Sequence, residues 1–532
     1  MTRVLFRCDA SLTIGSGHII RCRTLARELQ LQGAEVLFLC RRQKGDLINL
    51  LEREFPVLEL PNQSLSPCEE LKGRELYRAW LGCRQIEDAK ECLKAVSSAG
   101  IQNIDWLVVD HYGIDSTWES HFKTALDCDT PFKLLVIDDL ADRYHQADLL
   151  LDQNFIGAAT DQRYQELVPR YCRELLGPHY SLLAPEYSRL RRLVPKRTDV
   201  RRILVFFGGV DKKNLTGRTI EALLDPALAH LAVDVVLGDQ APHRRAVERQ
   251  AARRPFTTIH SSLPSLAGLI ARADLAIGAG GATTWERACL KLPSLVVTIA
   301  ANQQPFAEAL DNAGYLKLLG DSDTVSAKQI RSELIRHISQ KSQQCRNIGE
   351  DLTDGLGASR LAIAMLGPKT PIKLRRAQED DEPLLLRWAN DSQVRNNSFS
   401  PEKIAPSDHH HWFRNAMADP ERLLLIALAG NDIPVGQIRF DRQHIPPNRD
   451  VYEAMVDLSI DRCARGHGLA TDIVHLGLDA KEQQWGPGTK AVAEVLTSNA
   501  ASNACFRRAG FTLEQISPVT PSTRPVNRWH KA

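Results

Sequence analysis

Hydrophobic and polar positions alternate along the chain in a way that first spells out a strand, then a helix, then a strand. Val4, Leu5 and Phe6 form a short apolar run that predicts a strand. A polar loop follows, ending in Gly15-Ser16-Gly17-His18. Apolar residues then return at helical spacing (Ile19, Cys22, Leu25, Ala26, Leu29) until Gly33 stops the helix and Val36–Phe38 opens a second strand. This is a βαβ unit with glycines at its first strand-to-helix turn. The alternation continues, with Trp106–Val109 running into Asp110-His111-Tyr112-Gly113, and Leu134–Ile137 into Asp138-Asp139. In open α/β sheets the loops after the strand C-termini share one edge, so these residues belong beside the Gly17-His18 turn.

A basic, proline-containing stretch, Arg189–Arg202, interrupts the pattern and reads as a linker. A second alternating region begins at Ile203–Phe207, which enters Gly208-Gly209, and includes the strands Val233–Leu237 and Leu275–Gly278. The last of these enters a glycine-rich turn, Gly278 to Thr284, that opens a helix with Glu286 in its early turns. Ser294–Thr298 supplies another strand, with Asn302-Gln303-Gln304 just beyond it. Glycine and two prolines crowd Leu366–Pro371, and the texture then changes. Val435–Phe440 and Tyr452–Ile460 read as strands, followed by the loop Arg465 to Ala470, a helix through Leu476, and a proline-rich end read as a loose tail. The expected fold class is α/β. Two Rossmann-like regions, 1–190 and 191–366, enclose a cleft and precede a smaller α+β domain, 371–532.

Composition narrows the function. Sixty-seven basic residues against 65 acidic ones leave a net charge of +2, which carries no footprint for nucleic acid or an anionic membrane. The 12 cysteines include no C-x-x-C pair and several fall on apolar faces, which fits buried thiols in a reducing compartment. No signal-peptide core and no run of about 18 apolar residues is present, so a cytoplasmic protein is expected.

The candidate chemistry lies at the glycine turns. Backbone amides at a helix start favour an anion, and His18 adds an imidazole where a reacting group could be held; the plainer alternative is turn glycines and a helix-capping histidine. Neither G-x-G-x-x-G nor a P-loop lysine is present. At the second turn Gly280, Gly281, Thr283 and Thr284 offer amides and hydroxyls, and Glu286 is either a ligand for hydroxyls or a solvated acid near a helix start. Asp138 and Asp139 are adjacent and would diverge if extended, and His409-His410-His411 would diverge likewise, so no metal is expected. Glu453 and Asp457 share one strand face, where either could deprotonate an amine or simply meet solvent.

Three groups of strings carry a resemblance: FRCDAS with IGSGHIIR; VVDHYGID with IDDLADRYHQADLLLDQN; and FFGGVDKKN with GAGGATTWERACLKLPSLVV and ANQQ. Through them the first 366 residues resemble the pseudaminic acid pathway hydrolases that remove UDP from a UDP-2,4-diacetamido-2,4,6-trideoxy-altrose. The resemblance implies a GT-B architecture of two Rossmann-like domains. It implies that His18 activates water for attack at the anomeric carbon, that Tyr112 stands in the active site, and that Asn302 touches sugar or pyrophosphate. It also implies UDP binding by Gly17, Gly209, Gly280, Gly281, Thr283, Thr284 and Gln303, with Glu286 on the ribose.

The region after residue 371 is similar to GNAT-family acetyltransferases. Arg465-Gly466-His467-Gly468-Leu469-Ala470 fits their R-x-x-G-x-A loop, which wraps the diphosphate of coenzyme A, and Asn499, Ser502, Phe506 and Gly510-Phe511 follow in order, with Trp388-Ala-Asn390-Asp391 near the start. Acetyl-CoA is the implied donor, with Asn499 and Phe506 beside it. Phe506 stands where many of these enzymes carry a tyrosine that protonates the departing thiolate, so water or another residue must serve, or the domain is silent. The joint expectation is a UDP-sugar hydrolase fused to an N-acetyltransferase acting on the UDP-4-amino sugar. Its implied partners are these two substrates and other enzymes of the pathway, not nucleic acid or membrane. The alternative is a GT-B glycosyltransferase carrying a non-catalytic coenzyme-A-binding module.

Overall fold

The computed structural model describes residues 1–62, 71–126, 131–239, 241–261, 263–339, 352–445, 448–514 and 525–531. The chain divides into two compact units, Met1–Ala358 and Ser359–Ala532. The first apolar run forms β1 (Arg3–Cys8). β2 (Glu35–Arg41), β3 (Val57–Leu60), β4 (Trp106–Asp110), β5 (Lys133–Ile137), β6 (Leu149–Asp152) and β7 (Arg173–Leu176) complete a seven-stranded sheet ordered β3-β2-β1-β4-β5-β6-β7. Every pairing is parallel. Because helices cover both faces, the central strands are buried along their whole length rather than on alternate residues. That is why WLVVD and LLVI read as unbroken apolar runs.

The second sheet of this unit repeats the plan. β8 (Arg202–Phe206), β9 (Ala232–Val236), β10 (Thr257–His260), β11 (Leu275–Ala279), β12 (Ser294–Thr298) and β13 (Lys317–Asp321) run in the order β10-β9-β8-β11-β12-β13, again all parallel. In each sheet the strand order reverses once, between β1 and β4 and between β8 and β11. Ligand crevices open at such switch points, and each of the two glycine turns lies at one.

The stretch Arg189–Arg202 is more tightly held than a linker. It begins inside the helix Pro185–Arg191 and ends in β8. Between them, the Arg197 guanidinium donates to the carbonyls of Ile270, Ala273, Leu290 and Lys291.

In the second unit β14 (Lys373–Arg376), β15 (Arg422–Ala429), β16 (Ile433–Ile445), β17 (Asn448–Ile460), β18 (Thr489–Leu496), β19 (Thr512–Glu514) and β20 (Val526–Lys531) form one sheet, ordered β14-β15-β16-β17-β18-β20-β19. All its pairs are antiparallel except β17 with β18. These two run parallel only from Tyr452 to Met455, opposite Thr489 to Val492. Beyond Met455, β17 keeps its pairing with β16 while β18 pairs with β20, so the two strands part.

Two expectations need correction here. The helix after the glycine loop runs from Leu469 to Trp485, well past Leu476. The chain end is not a loose tail, since Val526–Lys531 is a strand between β18 and β19. Trp529 is buried there and its indole N–H donates to Asn503 Oδ1 at 2.9 Å. The prolines that suggested a tail precede this strand, and residues 515–524 of that segment lie outside the described residues.

The described cysteines are free thiols, most of them buried, as read from the sequence. Among the described residues no helix is long and apolar enough to cross a membrane.

Candidate functional site

The first switch point is built by the ends of β1 and β4. After β1 the chain makes a tight loop in which Ser11 Oγ accepts from the amides of Thr13 and Ile14, and Gly15 takes φ +84°, a conformation that favours glycine. The helix Gly17–Leu31 then starts, with His18 and Arg21 buried on the face turned to β4. Asp110, the last residue of β4, is fully buried and holds both. Its Oδ1 lies 2.6 Å from His18 Nδ1, and it takes Arg21 Nε and Nη2 at 2.6 Å each.

Burial alone would oppose ionisation of Asp110. Arg21 and His18 outweigh it and hold the carboxyl well below the usual carboxylate range. A fixed anion at Nδ1 favours the tautomer with its proton there, which leaves Nε2 as the basic nitrogen. The same guanidinium reaches Asp139 Oδ2 at 2.6 Å, and that oxygen also accepts the Tyr112 hydroxyl at 2.7 Å. The Tyr112 ring stands edge-on to the imidazole with centroids 4.6 Å apart. Burial, with Asp139 beside it, pushes the Tyr112 phenol well above its ordinary value, so it is a neutral donor and not an acid near pH 7.

Asn302, beyond β12 in the second sheet, reaches across with its Nδ2 3.5 Å from the Tyr112 hydroxyl. The structure therefore brings His18, Tyr112 and Asn302 together. It adds Asp110, Arg21 and Asp139, whose roles the local sequence did not single out. The available signal was the shared sheet edge of Asp110 and Asp139. Arg21 is one helical turn beyond His18, and nothing local separated it from the many other arginines.

Behind this layer lies a second buried charge cluster. Asp88 accepts from Arg7, Arg41 and the Trp118 indole, and Arg7 also pairs with Asp9 at 2.7 Å. Burial pushes His111 down to about 4. Its Nδ1 accepts the Gly113 amide at 3.0 Å, which fixes the loop that carries Tyr112.

At the second switch point the turn after β11 passes Gly280 and Gly281 into the helix Thr283–Cys289. Gly209 lies at the neighbouring end of β8, where its carbonyl accepts the Gly238 amide at 3.0 Å. Gln303 braces the turn: its Oε1 accepts the Ile299 amide at 3.0 Å, and its side chain flanks both Gly280 and Gly281. Thr283 and Thr284 each accept from Arg287 at 3.2 Å. Glu286 is not the solvated acid that was its alternative reading. Burial raises it to about 7 against the opposing pull of the Tyr187 hydroxyl and the Arg287 charge, and among the described residues its Oε2 is buried with no partner. An orphaned carboxylate oxygen of this kind calls for a donor from a ligand. Gly17 opens the helix of the first turn, with no atom near the position a Cβ would take.

In the second unit the loop after β17 carries Gly466 and Gly468 at φ +82° and +79°, and the latter is the N-cap of Leu469–Trp485. Its backbone faces open space at both glycines. The Arg465 side chain is committed within the protein, to Asp391, Gln393 and the Ile460 carbonyl, so this loop has backbone amides to offer rather than that guanidinium. His467 Nε2 lies 3.3 Å from the Ala364 carbonyl, and Leu469 is buried with Ala470 beside it. Asn499 caps the helix Ala500–Arg508 through Ser502 N, and Phe506 is buried edge-on to Phe511. Glu453 is buried and paired with Arg528, which overturns a surface placement, while Asp457 lies exposed beyond the point where β17 leaves β18. His409 is buried with neither ring nitrogen partnered among the described residues, and His410 and His411 are exposed elsewhere on the helix Pro406–Ala418. Among the described residues no group of three or more His, Cys, Asp or Glu could hold a metal ion.

Comparison with known proteins finds two kinds of similarity. Residues 372–512 match the family model "Acetyltransferase (GNAT) domain". The chain is 25% identical over 361 residues to the spore coat polysaccharide biosynthesis protein SpsG of Bacillus subtilis, covering 67% of this chain and 96% of that protein. It is 26% identical over 314 residues to the UDP-2,4-diacetamido-2,4,6-trideoxy-beta-L-altropyranose hydrolase of Campylobacter jejuni, covering 59% of this chain and 97% of that one. A solved structure, MurG of Acinetobacter baumannii, aligns with 69% of this chain and 99% of its own at 15% identity and a TM-score of 0.45. The chain is a homologue of the SpsG protein and of the altropyranose hydrolase, joined to a C-terminal GNAT domain.

Proposed function

We propose that the first unit hydrolyses a UDP-2,4-diacetamido-2,4,6-trideoxyhexose to the free sugar and UDP. The observation that carries this reading is the Asp110–His18 pair at the β1/β4 switch point, with Asn302 of the second sheet closing on Tyr112. A water beside Nε2 attacks the anomeric carbon while its proton passes to that nitrogen. The C1–O bond to the diphosphate breaks, and UDP leaves with the bonding pair. Asp110, held anionic, stabilises the imidazolium that results. Tyr112 and Asn302 orient the sugar as neutral hydrogen-bonding groups. Gly280, Gly281, Thr283 and Thr284 receive the diphosphate, and Glu286 receives the ribose hydroxyls.

The second unit, in this proposal, transfers acetyl from acetyl-CoA to the 4-amino group of the preceding UDP-sugar. The glycine loop at Gly466 and Gly468 supplies amides for the coenzyme A diphosphate, and the parting of β17 from β18 opens the sheet beside it. Asp457, which meets Gln437 and Arg439 but stays exposed, is better placed to take the amine proton than Glu453, which is buried against Arg528. Phe506 has no proton to give, so the thiolate is protonated by water.

Purified protein incubated with the UDP-sugar alone should release UDP and free sugar, and EDTA should not change the rate. His18→Phe should abolish that release and still bind UDP. UDP release that needs an added sugar acceptor, or near-normal turnover in His18→Phe, would refute the assignment. Mass spectrometry of the UDP-4-amino sugar with acetyl-CoA should show one added acetyl group.

A further inference from the structure

A buried guanidinium needs a counter-charge, and among the described residues Arg287 forms no ion pair. It is 3% exposed, yet its hydrogen bonds run to neutral groups. Nη1 donates to Thr283 Oγ1 at 3.2 Å, Nη2 donates to Thr284 Oγ1 at 3.2 Å and to the Ala279 carbonyl at 2.9 Å, and among the described residues Nε has no partner. Glu286 is the carboxylate whose charge acts on it, and Glu286 itself is raised to about 7. Burial draws Arg287 down to about 10, which still leaves it charged at neutral pH. A positive charge is therefore held under the glycine turn with little in the protein to balance it. Space for it is reserved: a Cβ on Gly278 would stand 3.0 Å from Nη1.

We propose that Arg287 is a positioning residue that turns the glycine turn into a donor-only cradle, selective for a diphosphate over a neutral group. The inference rests on the reading of this turn as the UDP site. The direction of each bond sets the outcome. Guanidinium N–H groups only donate, so each threonine oxygen bonded to Arg287 is an acceptor there, and its O–H is left to donate outward. Among the described residues neither hydroxyl is seen donating to a protein acceptor. The Ala279 carbonyl, which would repel an anion, is taken up by Nη2. What the turn then presents is hydroxyl hydrogens and amides over a buried cation. That set suits the several acceptor oxygens of a diphosphate, whose charge is the one Arg287 lacks.

Calorimetry on the full chain with UDP, UMP and uridine tests this. Arg287→Gln should weaken UDP by about 30-fold, in the range of charge-assisted hydrogen bonds, and leave uridine within about twofold. Arg287→Lys, which keeps the charge without the fork, should fall between the two. Thr283→Val with Thr284→Val should also lose UDP affinity, and adding Arg287→Gln to that pair should cost less than Arg287→Gln does alone, because part of its effect passes through the same hydroxyls. If Arg287→Gln does not fold, the lysine and valine variants decide the matter alone. Equal losses for UDP and uridine would mean a general packing role and overturn the proposal, as would unchanged UDP affinity in the variants. Wild-type protein that binds no UDP would overturn the underlying site reading and this proposal together. Normal wild-type binding with insensitive variants would overturn this proposal only.

Discussion

His18 can serve as a base only while its proton stays on Nδ1, and that depends on one oxygen of Asp110 at 2.6 Å. Asp110→Asn can present an amide N–H to that nitrogen, which shifts the imidazole proton to Nε2 and removes the base. We expect a fall in kcat of about a thousandfold with UDP affinity little changed, read by single-turnover UDP release beside calorimetry. A loss confined to KM would show that Asp110 only shapes the binding surface. Glu286 supplies the second expectation at this scale. In the free protein burial raises it to about 7. Ribose hydroxyls donate to a carboxylate and so favour its ionised form, which makes binding release a proton. UDP affinity should then climb about tenfold from pH 6 to pH 8, and proton release should appear as a buffer-dependent binding enthalpy. Part of any rise comes from the terminal phosphate of UDP, which titrates near pH 6, so the comparison is with Glu286→Gln, where the remaining slope is the ligand's own. Equal slopes in the two proteins would remove Glu286 from the ribose.

Strand ends and turns decide whether these residues meet. Gly278 is the clearest case, because a Cβ there would lie 2.4 Å from the Phe206 carbonyl of β8 and 3.0 Å from Arg287. Gly278→Ala should therefore force β8 and β11 apart, cost about 1–3 kcal/mol in urea unfolding, and weaken UDP binding as well. Full stability with full affinity would mean that the close approach is not needed. In the second unit, β20 illustrates an element the sequence pattern hid. Its short run is broken upstream by prolines and holds mostly polar residues, so nothing in its period indicated a buried strand. Trp529, buried with its indole N–H on Asn503, anchors it between β18 and β19. Trp529→Ala should destabilise this unit by about 3–5 kcal/mol, seen as a lower denaturation midpoint for a fragment of residues 359–532.

On the scale of the whole molecule, two sets of chemistry occupy two units, Met1–Ala358 and Ser359–Ala532. We expect the activities to separate. Residues 1–358 should release UDP, and residues 359–532 should bind coenzyme A. A fragment beginning at Pro371 should be less stable than one beginning at Ser359, because it lacks the Ala364 carbonyl that faces His467 and the space at Gly367 beside that ring. Thermal melts of the two fragments compare them directly. Failure of residues 359–532 to bind coenzyme A while folded would favour a scaffold role for this unit.

Sequence alone determined the repeated strand–glycine turn–helix plan, because a two-faced parallel strand must be apolar throughout and a turn against a helix start tolerates few residues. It likewise marked His18, Tyr112, Asn302 and Glu286, which stand beside those turns in strings long enough to be specific. Only the tertiary structure decided what those residues can do. Asp110 is 92 positions from His18, and Asn302 is 190 from Tyr112, so neither pairing has a local signature. The same holds for Arg21 and Arg287. Each is an ordinary charged residue on a helix until folding removes its water and leaves it the partners that set its chemistry.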